Sequence, residues 1–95
     1  MLINGLLSNK ERRVNKALHL SPGNVSEEHF WLLVEISPIH SEKIIFALKD
    51  FFVSGCSRKE VCERHGISPG YFSGALGRFR HVSMIVFQLI PYYTK

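Results

Sequence analysis

The sequence predicts an all-α protein, a small helical bundle that contains a helix-turn-helix and ends in a long apolar helix. Serines suited to the N-cap position precede the predicted helices, and proline follows two of these serines at the first helical position. Apolar residues recur at helical spacing, and no pair of segments shows the period-two alternation of paired strands. Helices packed on helices are therefore the predicted fold class.

The first 20 residues predict an N-terminal extension, either helical or disordered, ahead of a helix-turn-helix DNA-binding domain over residues 21–95. Ser8 followed by Glu11 resembles a capping box, which predicts a helix near residues 9–19. The thin apolar face of that helix would consist of Val14, Ala17 and Leu18. The sequence SPG at 21–23 ends it.

The next segment predicts a helix over residues 27–36. Ser26 is its N-cap, and Glu27 and Glu28 complement the positive end of the helix dipole. The apolar run HFWLLVEI could instead form a buried strand, but the chain offers it no partner strand.

A longer helix is predicted over residues 38–54, with Ser37 as N-cap and Pro38 at the first helical position. Its apolar face consists of residues that recur at helical spacing up to Gly55: Ile44, Ile45, Leu48, Phe51 and Phe52.

Two further helices meet at a glycine turn. Ser57 caps RKEVCERH with Glu60 at the third helical position, which is a capping box, and Gly66 suits a left-handed C-terminal cap. Ser68 and Pro69 repeat the start signal. The last helix is predicted to end near Ile90, because the following proline cannot continue it.

The stretch from Arg58 to Gly77 fits a helix-turn-helix position by position. Val61 points inward, Cys62 is the small residue where the two helices cross, and Gly66 supplies the positive φ of the turn. His65 replaces the usual apolar residue before the turn, where it could cap the helix C-terminus. The remaining core positions are Ile67, Phe72, Ala75 and Leu76.

The charge and the cysteines narrow the class of function. A net charge of +4 and a pI near 9.3 favour an anionic partner. The two cysteines and the lack of a secretory signal indicate the cytoplasm, and no apolar stretch is long enough for a membrane span. Cys56, Cys62 and His65 lack a fourth ligand, so we predict no metal. With no nucleophile beside a base and no cofactor motif, we expect no enzyme.

The predicted DNA-binding surface combines basic residues with an unusual stripe on the last helix. Residues 70, 73, 74, 77 and 81 share one face and read Gly, Ser, Gly, Gly, His. Several glycines on one helix face carry a cost in stability, which indicates close approach of another surface, either DNA or a neighbouring helix. The candidate DNA-binding residues are Arg58, Lys59, Cys62, Pro69, Gly70, Tyr71, Ser73, Gly74, Gly77, Arg78 and Arg80.

The second half of the last helix is apolar on every side. Its side chains cannot all face one small core, so we predict that some meet another chain, giving a dimer or higher oligomer. The alternatives are that the N-terminal segment wraps this helix, or that the protein is an interaction module that docks a different partner here. The candidate oligomerisation residues are Phe30, Leu32, Leu33, Ile85, Phe87 and Leu89.

From about residue 20 to residue 94 the sequence resembles the PapB-like regulators of bacterial adhesin and fimbrial operons. The resemblance rests on short segments that occur in the same order as in that family: HF at 29–30, IHS at 39–41, ALKD at 47–50, SRKEVCE at 57–63, GYFS at 70–73, LGR at 76–78 and PYY at 91–93.

This resemblance implies a bacterial cytoplasmic transcription factor, associated with the nucleoid through DNA. It implies binding of AT-rich double-stranded DNA near fimbrial promoters, often as an oligomer. It also implies that Arg58 and Cys62 belong to the DNA-binding function, whereas the residues by themselves indicate that Cys62 packs at the helix crossing.

Overall fold

The computed structural model describes residues 20–94, which form four helices and no strand, so the all-α prediction is confirmed. The helices are α1 (Glu27–Ile36), α2 (Glu42–Phe52), α3 (Arg58–His65) and α4 (Pro69–Tyr93). The helix predicted over residues 9–19 lies outside the described residues. None of the four helices combines the length and apolar character needed to cross a membrane.

Each helix begins at a serine whose side chain accepts a hydrogen bond from a backbone N–H in the first turn. In α3 the capping box is complete: Ser57 Oγ accepts from the Glu60 N–H at 3.1 Å, and the Glu60 carboxylate accepts from the Ser57 N–H at 2.9 Å. These bonds satisfy donors that a helix N-terminus leaves open. The other three N-caps are Ser26, Ser41 and Ser68.

The prediction that α2 begins at Pro38 is wrong, because Ser37 is the C-cap of α1 and not the N-cap of α2. The Ser37 N–H and hydroxyl both donate to the Val34 carbonyl, and the Ser37 hydroxyl accepts from the Ile39 N–H at 3.2 Å. Residues 38–41 are therefore a connection, and Ser41 is the N-cap of α2.

The prediction that the last helix ends near Ile90 is also wrong, because α4 runs through Pro91 to Tyr93. Pro91 has no N–H to donate and its ring crowds the carbonyl one turn earlier, but the helix continues for two residues beyond it. The Thr94 N–H and hydroxyl both donate to the Ile90 carbonyl at 3.1 Å and close the final turn.

Phenylalanine rings from three helices form the centre of the core. Phe79 of α4 lies 5.3 Å from Phe30 of α1 and 5.6 Å from Phe52 of α2, measured between ring centroids. Phe51 meets Phe72 edge to face at 5.6 Å. The four positions of α4 that the helical spacing places inward are all buried: Phe72, Ala75, Leu76 and Phe79.

The residues before α1 close the C-terminal end of α2. The Gly23 N–H donates to the Phe51 carbonyl and the Val25 N–H donates to the Phe52 carbonyl, both at 3.2 Å. Gly23 and Gly55 both have positive φ, and a Cβ built on Gly23 would lie 3.2 Å from the Gly55 Cα. The two glycines thus allow the backbones to touch.

We predict that Gly23→Ala destabilises the protein by about 1–3 kcal/mol, because alanine is strained at this φ and its methyl group would press on the Gly55 backbone. Urea unfolding followed by circular dichroism measures the change. Gly77→Ala is the matched control, since that glycine is helical and an added Cβ meets no atom within 4 Å. We expect the control to be more stable than wild type by about 0.5–1 kcal/mol, and equal effects of the two substitutions would contradict the prediction.

Candidate nucleic-acid interface

Helices α3 and α4 are joined by a short turn at residues 66–68. Gly66 adopts φ +64°, and its N–H donates to the Cys62 carbonyl. The Ile67 N–H donates to the same carbonyl at 3.0 Å, and the Ile67 side chain is buried. Both helices begin where the sequence predicts them. That this pair is a DNA-binding helix-turn-helix stays a prediction.

Cys62 lies half-buried between the two helices. Its thiol is free and packs against the buried core, which agrees with the small residue expected at the helix crossing. A cleft beside it is lined by the basic residues Arg58 and Lys59 and by apolar groups of α4 and the turn. The part of Cys62 in DNA binding stays a prediction.

The glycine stripe of α4 is exposed along its whole length. A Cβ added to Gly70 or Gly77 would meet no atom within 4 Å, and one added to Gly74 would meet only the end of the Arg78 side chain at 3.9 Å. Among residues 20–94, then, no neighbouring helix packs against the stripe. The fold of the described residues does not require glycine at these three positions.

Basic side chains border the stripe on both sides. Arg58 of α3 donates from Nη1 to Ser73 Oγ at 3.2 Å, so its guanidinium lies beside the centre of the stripe. Arg78 is exposed and lines a shallow groove with Gly74 and Gly77. The other candidates of this surface are also exposed: Lys59, Pro69 and Tyr71.

Arg80 differs from the other predicted DNA-binding residues, because it is partly buried. Its Nη2 donates to the Leu20 carbonyl at 3.4 Å and its guanidinium lies 5.6 Å from the centre of the Phe52 ring. Burial, together with the charge of Arg58, lowers the Arg80 pKa from its usual value. These contacts join Arg80 to Leu20 and to the Phe52 ring, and its predicted part in DNA binding stays a prediction.

The predicted oligomerisation residues separate into two groups. Phe30 and Leu33 are buried in the protomer's own core, so the structure corrects their assignment to an interface. Leu32, Ile85 and Leu89 are 59%, 42% and 44% exposed, respectively. Phe87 is half-buried.

The sequence does not reveal a polar cluster that joins α2 to the end of α3. Asp50 Oδ2 accepts hydrogen bonds from His65 Nε2 at 2.7 Å and from Arg64 Nη1 at 3.1 Å. These donors, His65 first, hold the Asp50 pKa below its usual value. In the sequence, the only sign of this cluster is His65, which stands where an apolar residue is usual before the turn. His65 contacts Asp50 of α2 and does not cap the end of its own helix.

Comparison with known proteins identifies one family. The family model for PapB, described as adhesin biosynthesis transcription regulatory protein, matches residues 4–93. The match begins well before residue 20, where the resemblance seen in the sequence starts.

The chain is also similar to individual proteins of Escherichia coli. It is 62% identical to the F1845 adhesin operon regulatory protein over 71 residues, which cover 75% of this chain and 84% of the relative. It is 52% identical to the major pilus subunit operon regulatory protein PapB over 75 residues, 79% of this chain and 72% of the relative. The crystal structure of FocB superposes with a TM-score of 0.76 at 46% identity, covering 90% of this chain and 98% of FocB.

We predict that the Asp50 cluster makes stability depend on pH in the acid range. Because the folded state lowers the Asp50 pKa, its contribution is complete above the ordinary value of 3.8 and is lost as the pH falls below it. At about pH 7, Asp50→Asn should lower the free energy of unfolding by about 1 kcal/mol. Urea unfolding of both proteins at about pH 7 and at about pH 3 measures the difference, which should shrink in acid. An equal difference at the two pH values would contradict the prediction.

Proposed function

This chain belongs to the PapB family of adhesin biosynthesis transcription regulatory proteins, which are not enzymes, and on that premise we propose that it binds AT-rich double-stranded DNA near fimbrial promoters as an oligomer. The proposed place of action is the bacterial cytoplasm, with association to the nucleoid through DNA. The observation that carries the proposal is the exposed glycine stripe of α4 with arginines on both sides.

Phosphate contacts are the first part of the proposed mechanism. Arg58 and Arg78 border a strip of α4 that carries almost no side-chain bulk. A duplex could approach the α4 backbone closely here, while the two guanidinium groups and Lys59 neutralise phosphates. Tyr71, which is 56% exposed, lies at the start of the same helix and would contact the sugar-phosphate backbone.

Sequence preference would come from DNA shape more than from base contacts. Glycine offers no group that can distinguish base edges, so the centre of the stripe reads little sequence directly. AT-rich DNA differs from other DNA in groove width and stiffness, which a closely approaching backbone can sense. A single protomer would therefore discriminate weakly, and several protomers side by side would recover selectivity.

Self-association would use the apolar second half of α4. Residues 82–93 carry no charged side chain, and Ile85, Leu89 and Ile90 are each more than two-fifths exposed. An apolar helix surface of this kind is typical of a contact with another chain. We propose a second copy as that chain, with Leu32 of α1 as a further contact.

The same exposed helix supports a second candidate function, a protein-interaction module that does not need DNA. In that case α4 would dock a different protein and the basic residues would only be solvated. Gel filtration with and without DNA distinguishes the two functions. A chain that stays monomeric and ignores DNA, but shifts with a cellular protein, favours the interaction module.

We predict a protected region that lengthens with protein concentration when the chain is footprinted on the genomic DNA upstream of its own coding sequence. Lengthening is expected because added copies would bind beside the first. Affinity should fall steeply with salt, with a log-log slope of about −0.9 for each phosphate neutralised. Affinity for an AT-rich duplex that hardly changes with salt would refute DNA binding through the basic residues.

Arg58→Ala provides the internal control for that measurement. If Arg58 contacts one phosphate, its loss should weaken binding to all duplexes and reduce the salt slope by about 1. Asn24→Ala, an exposed and uncharged change before α1, should alter neither the affinity nor the salt slope.

We predict that Gly74→Ala weakens DNA binding while it leaves the fold intact or stabilises it. The added methyl group meets only the end of the Arg78 side chain within the described protein, but it would project into the proposed DNA surface. Affinity is measured by fluorescence anisotropy on the footprinted duplex, and stability by urea unfolding. Unchanged affinity in a more stable variant would mean that the stripe is not approached closely by DNA.

A further inference from the structure

Asp50 is the residue at which α2, the following loop and the end of α3 meet. Its Oδ2 accepts from His65 Nε2 at 2.7 Å and from Arg64 Nη1 at 3.1 Å, while its backbone carbonyl accepts from the Cys56 N–H at 3.0 Å. Arg64 Nη1 also reaches Cys56 Sγ at 3.5 Å. The Asp50 carboxylate thus accepts hydrogen bonds from two side chains at the end of α3 and connects that end to α2.

Helix α3 is short, and polar side-chain contacts hold both of its ends. It has eight residues, and Val61 is its one buried side chain. Cys62 beside it is half-buried against the same core, so apolar packing holds the middle of the helix and the contacts at its ends limit rotation and tilt. Side-chain bonds at its two ends limit that movement: Arg64 and His65 to Asp50 at one end, and Arg58 to Ser73 at the other.

We propose that Asp50 is a positioning residue for DNA binding: through His65 and Arg64 it fixes the orientation of α3, and thereby the places of Arg58 and Lys59 beside the glycine stripe. The proposal rests on the proposed function, because it concerns the same surface. Asp50 itself does not contact DNA. Its role is to hold the helix that presents the cations.

The proposal predicts the direction in which DNA affinity changes when the negative charge of Asp50 is removed. Removing an acidic charge from a DNA-binding protein normally tightens binding, because the repulsion of phosphates falls. If Asp50 positions α3, the same removal must weaken binding to the preferred site, since the arginine and lysine move out of place. The two effects have opposite directions.

The experiment compares Asp50→Asn with Glu63→Gln in the full chain. Both substitutions remove one negative charge, and Glu63 is exposed on α3 in the cleft beside Arg58 and Lys59. Affinities are measured for the footprinted duplex and for a random-sequence duplex of the same length.

We expect Asp50→Asn to bind the footprinted duplex about tenfold more weakly, a typical size for coupling between contacting groups. Its affinity for the random duplex should fall as well, because the displaced Arg58 and Lys59 contact phosphates, which every duplex has. Glu63→Gln should bind both duplexes at least as tightly as wild type. An Asp50→Asn variant that binds the footprinted duplex as tightly as Glu63→Gln overturns the proposal. Circular dichroism measures the folded fraction under the binding conditions, and a weakening that a smaller folded fraction fully accounts for also overturns the proposal.

Two substitutions at His65 test the same contact without changing Asp50. Glutamine can place a side-chain N–H close to the position of Nε2, so His65→Gln should keep the wild-type affinity for both duplexes, and His65→Leu should bind both more weakly. These two variants decide the question even if Asp50→Asn does not fold. Wild-type affinity in His65→Leu overturns the positioning role alone, whereas a wild-type chain that binds neither duplex overturns the proposed function as well.

Discussion

The stacking of phenylalanine rings around Phe79 is the interaction on which the rest of the structure depends. Phe79 brings together Phe30 of α1 and Phe52 of α2, and it belongs to the helix that also carries the candidate DNA surface. A small domain buries a limited fraction of its surface, so large rings supply much of the burial that its short helices need. The outward stripe of α4 is held in place by the inward rings of the same helix.

The two faces of α4 are under different constraints. On the inward face every side chain has a packing reason, whereas on the outward face the glycines have no such reason within residues 20–94. Glycine lowers helix stability, so the outward face trades stability for a smooth surface. A surface that costs stability in the free protein and gains nothing there is typical of a binding site.

The sequence predicted those features that depend on neighbours in the chain. The capping box of Ser57 and Glu60, the glycine turn and the inward positions of α4 follow from local geometry, and the structure has them. The prediction of the start of α2 was wrong because Ser37 has two competing local roles, since a serine at this position can begin a helix or end one. The contact of Arg80 with Leu20, which are far apart in the chain, has no local signal. The contact of Asp50 with His65 has only one, the histidine before the turn, and it does not reveal the partner.

Because the glycine stripe and the exposed apolar residues belong to one continuous helix, their relative placement is fixed by helical geometry. Gly74 and Leu89 are separated by about 22 Å along the axis at about 1.5 Å per residue, and by roughly 60° around it at 3.6 residues per turn. The helix therefore fixes the distance and the angle between the two surfaces. An assembly built through both would inherit a constant spacing and phase along the duplex, and a one-residue insertion between them would turn one surface by about 100° relative to the other.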